Sequence, residues 1–290
     1  MLVLPKYPMT SVFLIYCWLA NFMSSPGKID PHSEEDYWEE IKCSRVQIPV
    51  VPNQLSELNA PPDVPHLKVV CISDTHEQLQ NVTNIPDGDV LIHAGDFTNN
   101  GDREQLLIFN SLMGAFPHRH KLVVAGNHEL GFDANERKEE RLEKDVGKGT
   151  ENGFELLTNV TYLQDREVEI DGVKFFGSSY HPLRGFPFYR TRAEELGECW
   201  KKIPTETDVL ITHTPPLGYL DQFGNERWGC RDLLREVEER VKPCFHVFGH
   251  VHERYGAMSN GKTMFINAAQ CLRNNVIQTR PLVFYIPKKI

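Results

Sequence analysis

The sequence contains no CxxC pair, no apolar run long enough to cross a bilayer, no excess of basic residues, no internal repeat and no low-complexity tract. Each absence removes a class of protein. Seven cysteines at 17, 43, 71, 199, 230, 244 and 271 are odd in number and widely spread. That argues against a disulfide framework or a zinc finger and for free thiols in a reducing compartment. A membrane-spanning helix needs about 20 apolar residues, whereas the longest apolar stretch is residues 12–23 (VFLIYCWLANFM), so no integral membrane anchor is expected. With 31 Lys and Arg against 40 Asp and Glu, the net charge is −9. A general nucleic-acid or membrane-surface binder favours a basic face, so no nucleic-acid polymer is expected as a partner. A local positive site is still allowed, and a bound metal pair would itself supply that charge.

What is present is an ordinary globular composition, 40% hydrophobic and 24% charged over 290 residues, enough for one large domain or two small ones. The stretch 12–23 has the length of a signal-peptide core. Only Lys6 precedes it and no small-x-small cleavage site follows. A cytoplasmic location is therefore expected, with the secretory pathway as the alternative if residues 12–23 act as a signal. Residues 24–66 are rich in Pro, Ser, Asp and Glu and read as an extended, partly ordered arm. Trp38, Ile41 and Ile48-Pro49-Val50-Val51 could dock it. The expected division is an N-terminal arm, 1–66, and a folded domain, 67–290.

Within the domain, short apolar runs alternate with amphipathic segments, the pattern of an α/β fold. Strands are predicted at 69–72, 89–94, 121–125, 160–163, 167–170, 173–177, 208–212, 245–248, 264–268 and 282–286. Asp171-Gly172 is a hairpin turn signal. Helices are predicted over 103–114, with Asp102 as cap, over 191–202 and over 230–241. The charge-dense run 134–148 reads as a solvated helix or loop.

Five of the strands run into polar tips: Asp74-Thr75-His76, Gly95-Asp96, Gly126-Asn127-His128-Glu129, His213 and Gly249-His250-Val251-His252. Strand exits are where open α/β sheets place ligand chemistry. A mixed Asp, Asn and His set suits divalent first-row metals better than calcium or magnesium, which want mostly oxygen. No thiolate stands at any exit, which argues against a structural zinc site. Seven candidate ligands, leaving His128 aside, exceed what one ion needs, and a pair can share one carboxylate. Two ions about 3.5–4 Å apart clamp a phosphoryl group and generate a nucleophile at neutral pH. The glycines before Asp96, Asn127 and His250 fit strands that must turn sharply to aim the next side chain.

These five blocks, in this order, resemble the calcineurin-like metallophosphoesterase superfamily (D-x-H, G-D, G-N-H-[DE], H, G-H-x-H) across roughly residues 67–286. The wording of residues 72–76, 212–218 and 246–253, with Gly229-Cys230 and Phe265-Ile266-Asn267-Ala268, is similar to the metallophosphoesterase domain-containing (fetal-brain 239 type) subfamily. The resemblance implies a four-layer α/β/β/α sandwich with a binuclear metal centre at the strand ends. It implies a class III cyclic-nucleotide-phosphodiesterase-like enzyme acting on a small phosphodiester or nucleotide through a metal-bridging hydroxide. Metal one would take Asp74, His76, Asp96 and His252, and metal two Asp96, Asn127, His213 and His250. The bridging Asp96 and His128 would be the catalytic residues, with Asn127, His128 and His252 facing the substrate and Glu129 orienting the His128 imidazole. Manganese is the favoured ion, iron and zinc the alternatives. Some members of the subfamily depart at the position of His250, which this chain keeps, favouring a working binuclear centre. A nucleotide-binding sensor or scaffold of the same fold with low turnover is the alternative reading.

Other polar residues carry weaker signals. Arg184, Arg190 and Arg192 could face a phosphate or simply be solvated. His93 reads as packed or supporting a ligand, and His118, His120, His181 and His246 as structural. Asn267 could support the site through a hydrogen bond. The loops 180–192 and 218–230, which would set substrate choice, carry no readable code, and the oligomeric state is likewise left open.

Overall fold

In the strand His66–Ile72, Leu67, Val69 and Cys71 point into one apolar cluster while Val70 and Ile72 point into another. Side chains alternate across a strand, so a strand buried on both sides must lie between two apolar layers. That single observation sets the architecture. The first cluster lies between two sheets, and the second packs each sheet's outer face beneath helices. The fold is thus a four-layer α/β/β/α sandwich, seen in a computed structural model that describes residues 34–55, 64–272 and 275–289.

The strands are β1 (Ile48–Val50), β2 (His66–Ile72), β3 (Val90–Ala94), β4 (His120–Val124), β5 (Thr161–Tyr162), β6 (Arg166–Ile170), β7 (Val173–Ser178), β8 (Val209–Thr212), β9 (Gln222–Phe223), β10 (Glu226–Arg227), β11 (Phe245–Phe248), β12 (Gly256–Ser259), β13 (Met264–Asn267), β14 (Cys271–Leu272), β15 (Val276–Ile277) and β16 (Leu282–Pro287). One sheet has the order β16-β2-β3-β4-β5, the other β1-β12-β13-β11-β8-β7-β6. In the first, β2 to β5 are parallel, with Val69 opposite Val90 and Leu91 opposite Lys121. In the second, β7, β8, β11 and β13 are parallel. The carboxyl ends of both parallel sets lie at the same edge of the sandwich, where a parallel bridge joins Ser73 to Ala269.

The helix Arg103–Ala115 forms over the predicted segment and buries Leu106, Phe109 and Met113. Asp102 does not cap it; its carboxylate accepts the Gly149 N–H at 3.2 Å. The helix predicted over 191–202 is confined to Glu195–Trp200, and that over 230–241 is α-helical only over Arg231–Arg235 before widening to a π-helix over Glu236–Val241. The charged run 134–148 forms two short 3₁₀ turns, Lys138–Glu140 and Glu143–Asp145. It is not wholly solvated, because Arg141 pairs bidentately with Glu136 and their side chains are 6% and 1% exposed. No helix among the described residues is long and apolar enough to cross a membrane.

The expected arm docks at Trp38 and at Ile48–Val50, two of the places the sequence offered, and its described residues from Glu34 onward belong to the same compact unit as the domain. The helix Glu34–Ile41 packs on the domain through Trp38, and β1 adds an antiparallel edge strand to β12. A short helix with one deeply buried aromatic has no visible periodicity, and Pro49 is tolerated because β1 is an edge. The Trp38 ring lies over Gly218, where an added Cβ would come within 2.0 Å of it. The Arg227 guanidinium stacks 4.9 Å from the ring centroid. The apolar stretch 12–23 lies outside the described residues. Trp38 is 3% exposed, so Trp38→Ala should lower unfolding stability by about 3–5 kcal/mol in urea titrations.

Candidate metal centre

Both sheets contribute to one cluster. From the five-stranded sheet, β2 delivers Asp74 and His76, β3 delivers Asp96 and β4 delivers Asn127; from the other, β8 delivers His213 and β11 delivers His250 and His252. The backbone turns sharply to present them. Asp74, His76, Asp96 and His250 all adopt left-handed conformations, with φ of 51°, 42°, 53° and 69°. Side chains other than Gly avoid that region, and such strain concentrates at functional sites.

Gly95, before Asp96, makes the sharp turn read in the sequence, with φ of 97°, whereas the glycines before Asn127 and His250 answer a different need. At Gly126 and Gly249 the requirement is space, since a Cβ would meet Asp96 Oδ1 at 2.2 Å and Asp74 Oδ2 at 2.0 Å. At the β11 exit the left-handed turn is taken by His250 itself.

Ligand atoms of Asp74, His76, Asp96 and His252 all lie within 4.8 Å of one another, and so do those of Asp96, His213 and His250. Asp96 belongs to both groups. His252 Nε2 lies 3.2 Å from Asp74 Oδ1 and from His76 Nε2. His213 Nε2 lies 3.3 Å from Asp96 Oδ2 and 3.0 Å from the Asn127 amide oxygen. The His213 Nδ1 is 2.8 Å from the Ala94 carbonyl, which fixes Nδ1 as the protonated nitrogen and aims Nε2 inward. Asp74 also ties the two sheets together, accepting the backbone N–H of His250 at 3.0 Å.

The electrostatics are those of a site built for cations. Asp74 and Asp96 are 0% and 2% exposed, and their ion-pair partners among the described residues are all histidines. Burial alone would raise both carboxyls. The hydrogen bond and charge of His252 outweigh it at Asp74, bringing it down to about 2, and His213 holds Asp96 well below the usual carboxylate range. Burial keeps His76 and His250 neutral, at about 4 and about 3. Burial also opposes charge on His213, but Asp96 lifts it to about 9. Two ionised carboxylates, an amide oxygen and imidazole nitrogens facing one another fit divalent first-row ions, which would replace the shared protons.

The calcineurin-like phosphoesterase family profile matches residues 67–254. The chain belongs to the calcineurin-like phosphoesterase family. It is 66% identical over 282 residues to UPF0046 protein K07C11.7 of Caenorhabditis elegans, covering 96% of this chain and 97% of that protein. It is 42% identical over 242 residues to Metallophosphoesterase domain-containing protein 1 of Homo sapiens, covering 79% of this chain and 74% of that protein. One solved structure, 17% identical, superposes with a TM-score of 0.53 over 70% of this chain and 90% of its own, a likeness of fold.

In this calcineurin-like phosphoesterase, His128 sits at the edge of the cluster, its ring 4.9 Å from that of His76. Its backbone N–H donates to Asp96 Oδ1 at 2.9 Å. Glu129 does not orient its imidazole, contrary to expectation. That carboxylate turns inward and accepts the N–H groups of Gly126, Asp96 and Thr98 at 2.6, 3.0 and 2.9 Å and the Thr98 hydroxyl at 3.0 Å. It pins the β3 and β4 exits to each other. Burial, reinforced by the charge of Asp96, pushes the Glu129 carboxyl up to about 8, against the pull of the N–H donors. The His128 Nδ1 bonds instead to the Asn99 carbonyl at 2.7 Å. Asn99 carries no motif, so sequence inspection had no signal for it.

The other histidines take supporting places. His93 Nε2 is 2.9 Å from the hydroxyl of Thr75, the residue between Asp74 and His76, and its ring packs edge-on against Phe97 and Phe109. His246 bonds to Thr212 and His118 to the Pro86 carbonyl. Buried His181 lies nearly parallel to His250, 6.5 Å between ring centroids. Asn267 Nδ2 donates to the Val251 carbonyl at 2.9 Å, steadying the segment between His250 and His252.

None of the three candidate phosphate-binding arginines is committed to the cluster. Arg184 pairs with Glu140, Arg190 with Asp133 and Arg192 with Glu34. The first two clasp the loop after β7 onto the 133–140 segment and so place Phe186 6.0 Å from the His128 ring. Trp228 lies 5.6 Å from His250 and packs on Phe223. Glu129→Gln should set an amide donor against N–H donors, costing about 1–3 kcal/mol; urea unfolding of the metal-free protein measures it.

Proposed function

We propose that this protein is a metal-dependent phosphodiesterase acting on small organic phosphates, with cyclic nucleotides among the candidate substrates. The observation that carries the reading is the pair of ligand groups sharing Asp96, with His128 beside them. Asp74, His76, Asp96 and His252 would hold one ion and Asp96, Asn127, His213 and His250 the other; manganese is the favoured metal, iron and zinc the alternatives. When bound, two such ions supply Lewis acidity and an activated nucleophile at neutral pH.

The chain's own residues complete the chemistry. A carbonyl can only accept, so the bond to Asn99 commits the His128 Nδ1 as a donor. Nε2 is then the nitrogen left to face the substrate, and when it too carries a proton it donates to a phosphoryl oxygen or passes that proton to the departing ester oxygen. Phe186 and Trp228, flanking His128 and His250, supply apolar walls suited to an organic ester rather than to inorganic phosphate. The free cysteines on both the surface and the interior, Cys43 and Cys71 for example, support a cytoplasmic location.

The test is turnover by the manganese-loaded protein, screened across monoesters, linear diesters such as bis(p-nitrophenyl) phosphate, and cyclic nucleotides. Hydrolysis of diesters, abolished by Asp96→Ala and by chelation, is the expected result. His128→Ala should lower kcat by about 10²–10⁴ with both ions still bound. No hydrolysis of any ester by the two-metal protein would overturn the reading. Tight nucleotide binding without turnover would then favour the sensor or scaffold role.

A further inference from the structure

The loop that follows β3 is held from two directions. Glu129 binds it at Thr98, through N–H and hydroxyl. One residue later a second carboxylate takes over: Glu77 Oε1 accepts the Asn99 N–H at 3.0 Å. Glu77 reaches back to this loop because His76 and Glu77 are consecutive left-handed residues, with φ of 42° and 64°. Its own N–H donates to the Phe97 carbonyl at 3.0 Å, locking the two segments side by side. The other end of Asn99, its carbonyl, is the group that takes the His128 Nδ1–H.

We propose that Glu77 is a positioning residue that acts on His128 through Asn99, on the reading of His128 given above. The chain of contacts is Glu77 carboxylate, Asn99 N–H, Asn99 carbonyl, His128 Nδ1–H. It does for His128 what a directly bonded carboxylate does for the histidine of a hydrolase triad, setting the tautomer and aim of the ring. The Thr98 hydroxyl also accepts the Gly101 N–H at 2.9 Å, so the loop is held on both sides of Asn99, and Glu77 is the side chain that takes the N–H of Asn99 itself.

The experiment compares Glu77→Ala, Glu77→Gln, His128→Ala and the Glu77→Ala/His128→Ala double variant, all manganese-loaded, with metal content measured on each. Glu77→Ala should lower kcat about 10- to 100-fold, the range seen when residues supporting a site's ligands are removed, with KM and metal content unchanged. Glu77→Gln keeps an oxygen for the Asn99 N–H and should restore kcat to within about 3-fold. In the His128→Ala background, Glu77→Ala should have no further effect. A Glu77→Ala protein with unchanged kcat, with lost metal, or with an effect that multiplies with that of His128→Ala would overturn the proposal. Nitrogen-15 NMR of the His128 ring in zinc-loaded protein is a readout independent of turnover. A single Nδ1–H tautomer in the wild type that becomes mixed in Glu77→Ala supports the proposal even if no ester is hydrolysed. An unchanged tautomer overturns it.

Discussion

Two carboxylates, those of Asp74 and Asp96, are buried side by side with only imidazoles as ion-pair partners among the described residues. Most of the local structure around them follows from that constraint. Desolvated charge is costly unless it is hydrogen-bonded and paired, so backbone N–H groups converge on it: His250 donates to Asp74 and His128 to Asp96. For those N–H groups to reach, the chain must come closer than a Cβ permits, which leaves glycine at 126 and 249. The strain of four left-handed ligand residues is sustained because surrounding bonds over-determine them. Glu129, which fastens Gly126, Asp96 and Thr98 together, is the central fastening.

Much of this was legible in the chain. Buried parallel strands read as continuous apolar runs such as Asp89–Ala94 and Lys121–Ala125, and their polar exits stood out by contrast. The seven candidate ligands were visible because each sits at the end of such a run. Their grouping into one set around Asp74 and another around His213 came from resemblance, since spacing along a chain cannot show which strands are neighbours. What went unread has a common physical character. Glu129 and Asn99 act through backbone N–H and carbonyl groups, and every residue has those. Arg184 and Arg190 read as either phosphate-facing or solvated, because their carboxylate partners lie 44 and 57 positions away in the chain.

The amino-terminal segment was legible at its docking residues, Trp38 and Ile48–Val50, but not in its ion pairs. Its contribution rests on one tryptophan, a three-residue edge strand and ion pairs such as Arg192–Glu34 and Arg227–Glu35. None has a period to detect. Yet Arg227, stacked on Trp38 and bonded to Asp221 at 2.7 Å, anchors the β9–β10 hairpin that carries Phe223 and leads into Trp228. A segment outside the family match, residues 67–254, thereby braces one wall of the cluster.

The division of the ligand set between the sheets has a consequence for assembly. Asp74, His76, Asp96 and Asn127 come from the five-stranded sheet, and His213, His250 and His252 from the other. Neither sheet alone can complete either group. A chain in which one half has folded and the other has not offers only part of either candidate group, so tight metal uptake would belong to the last stage of folding, when the sheets have closed on each other. Conversely, any ion held there acts as a rivet across the inter-sheet core, adding to the native state a stability that grows with free metal concentration. The same atoms that define the chemistry would then also report that the sandwich is shut.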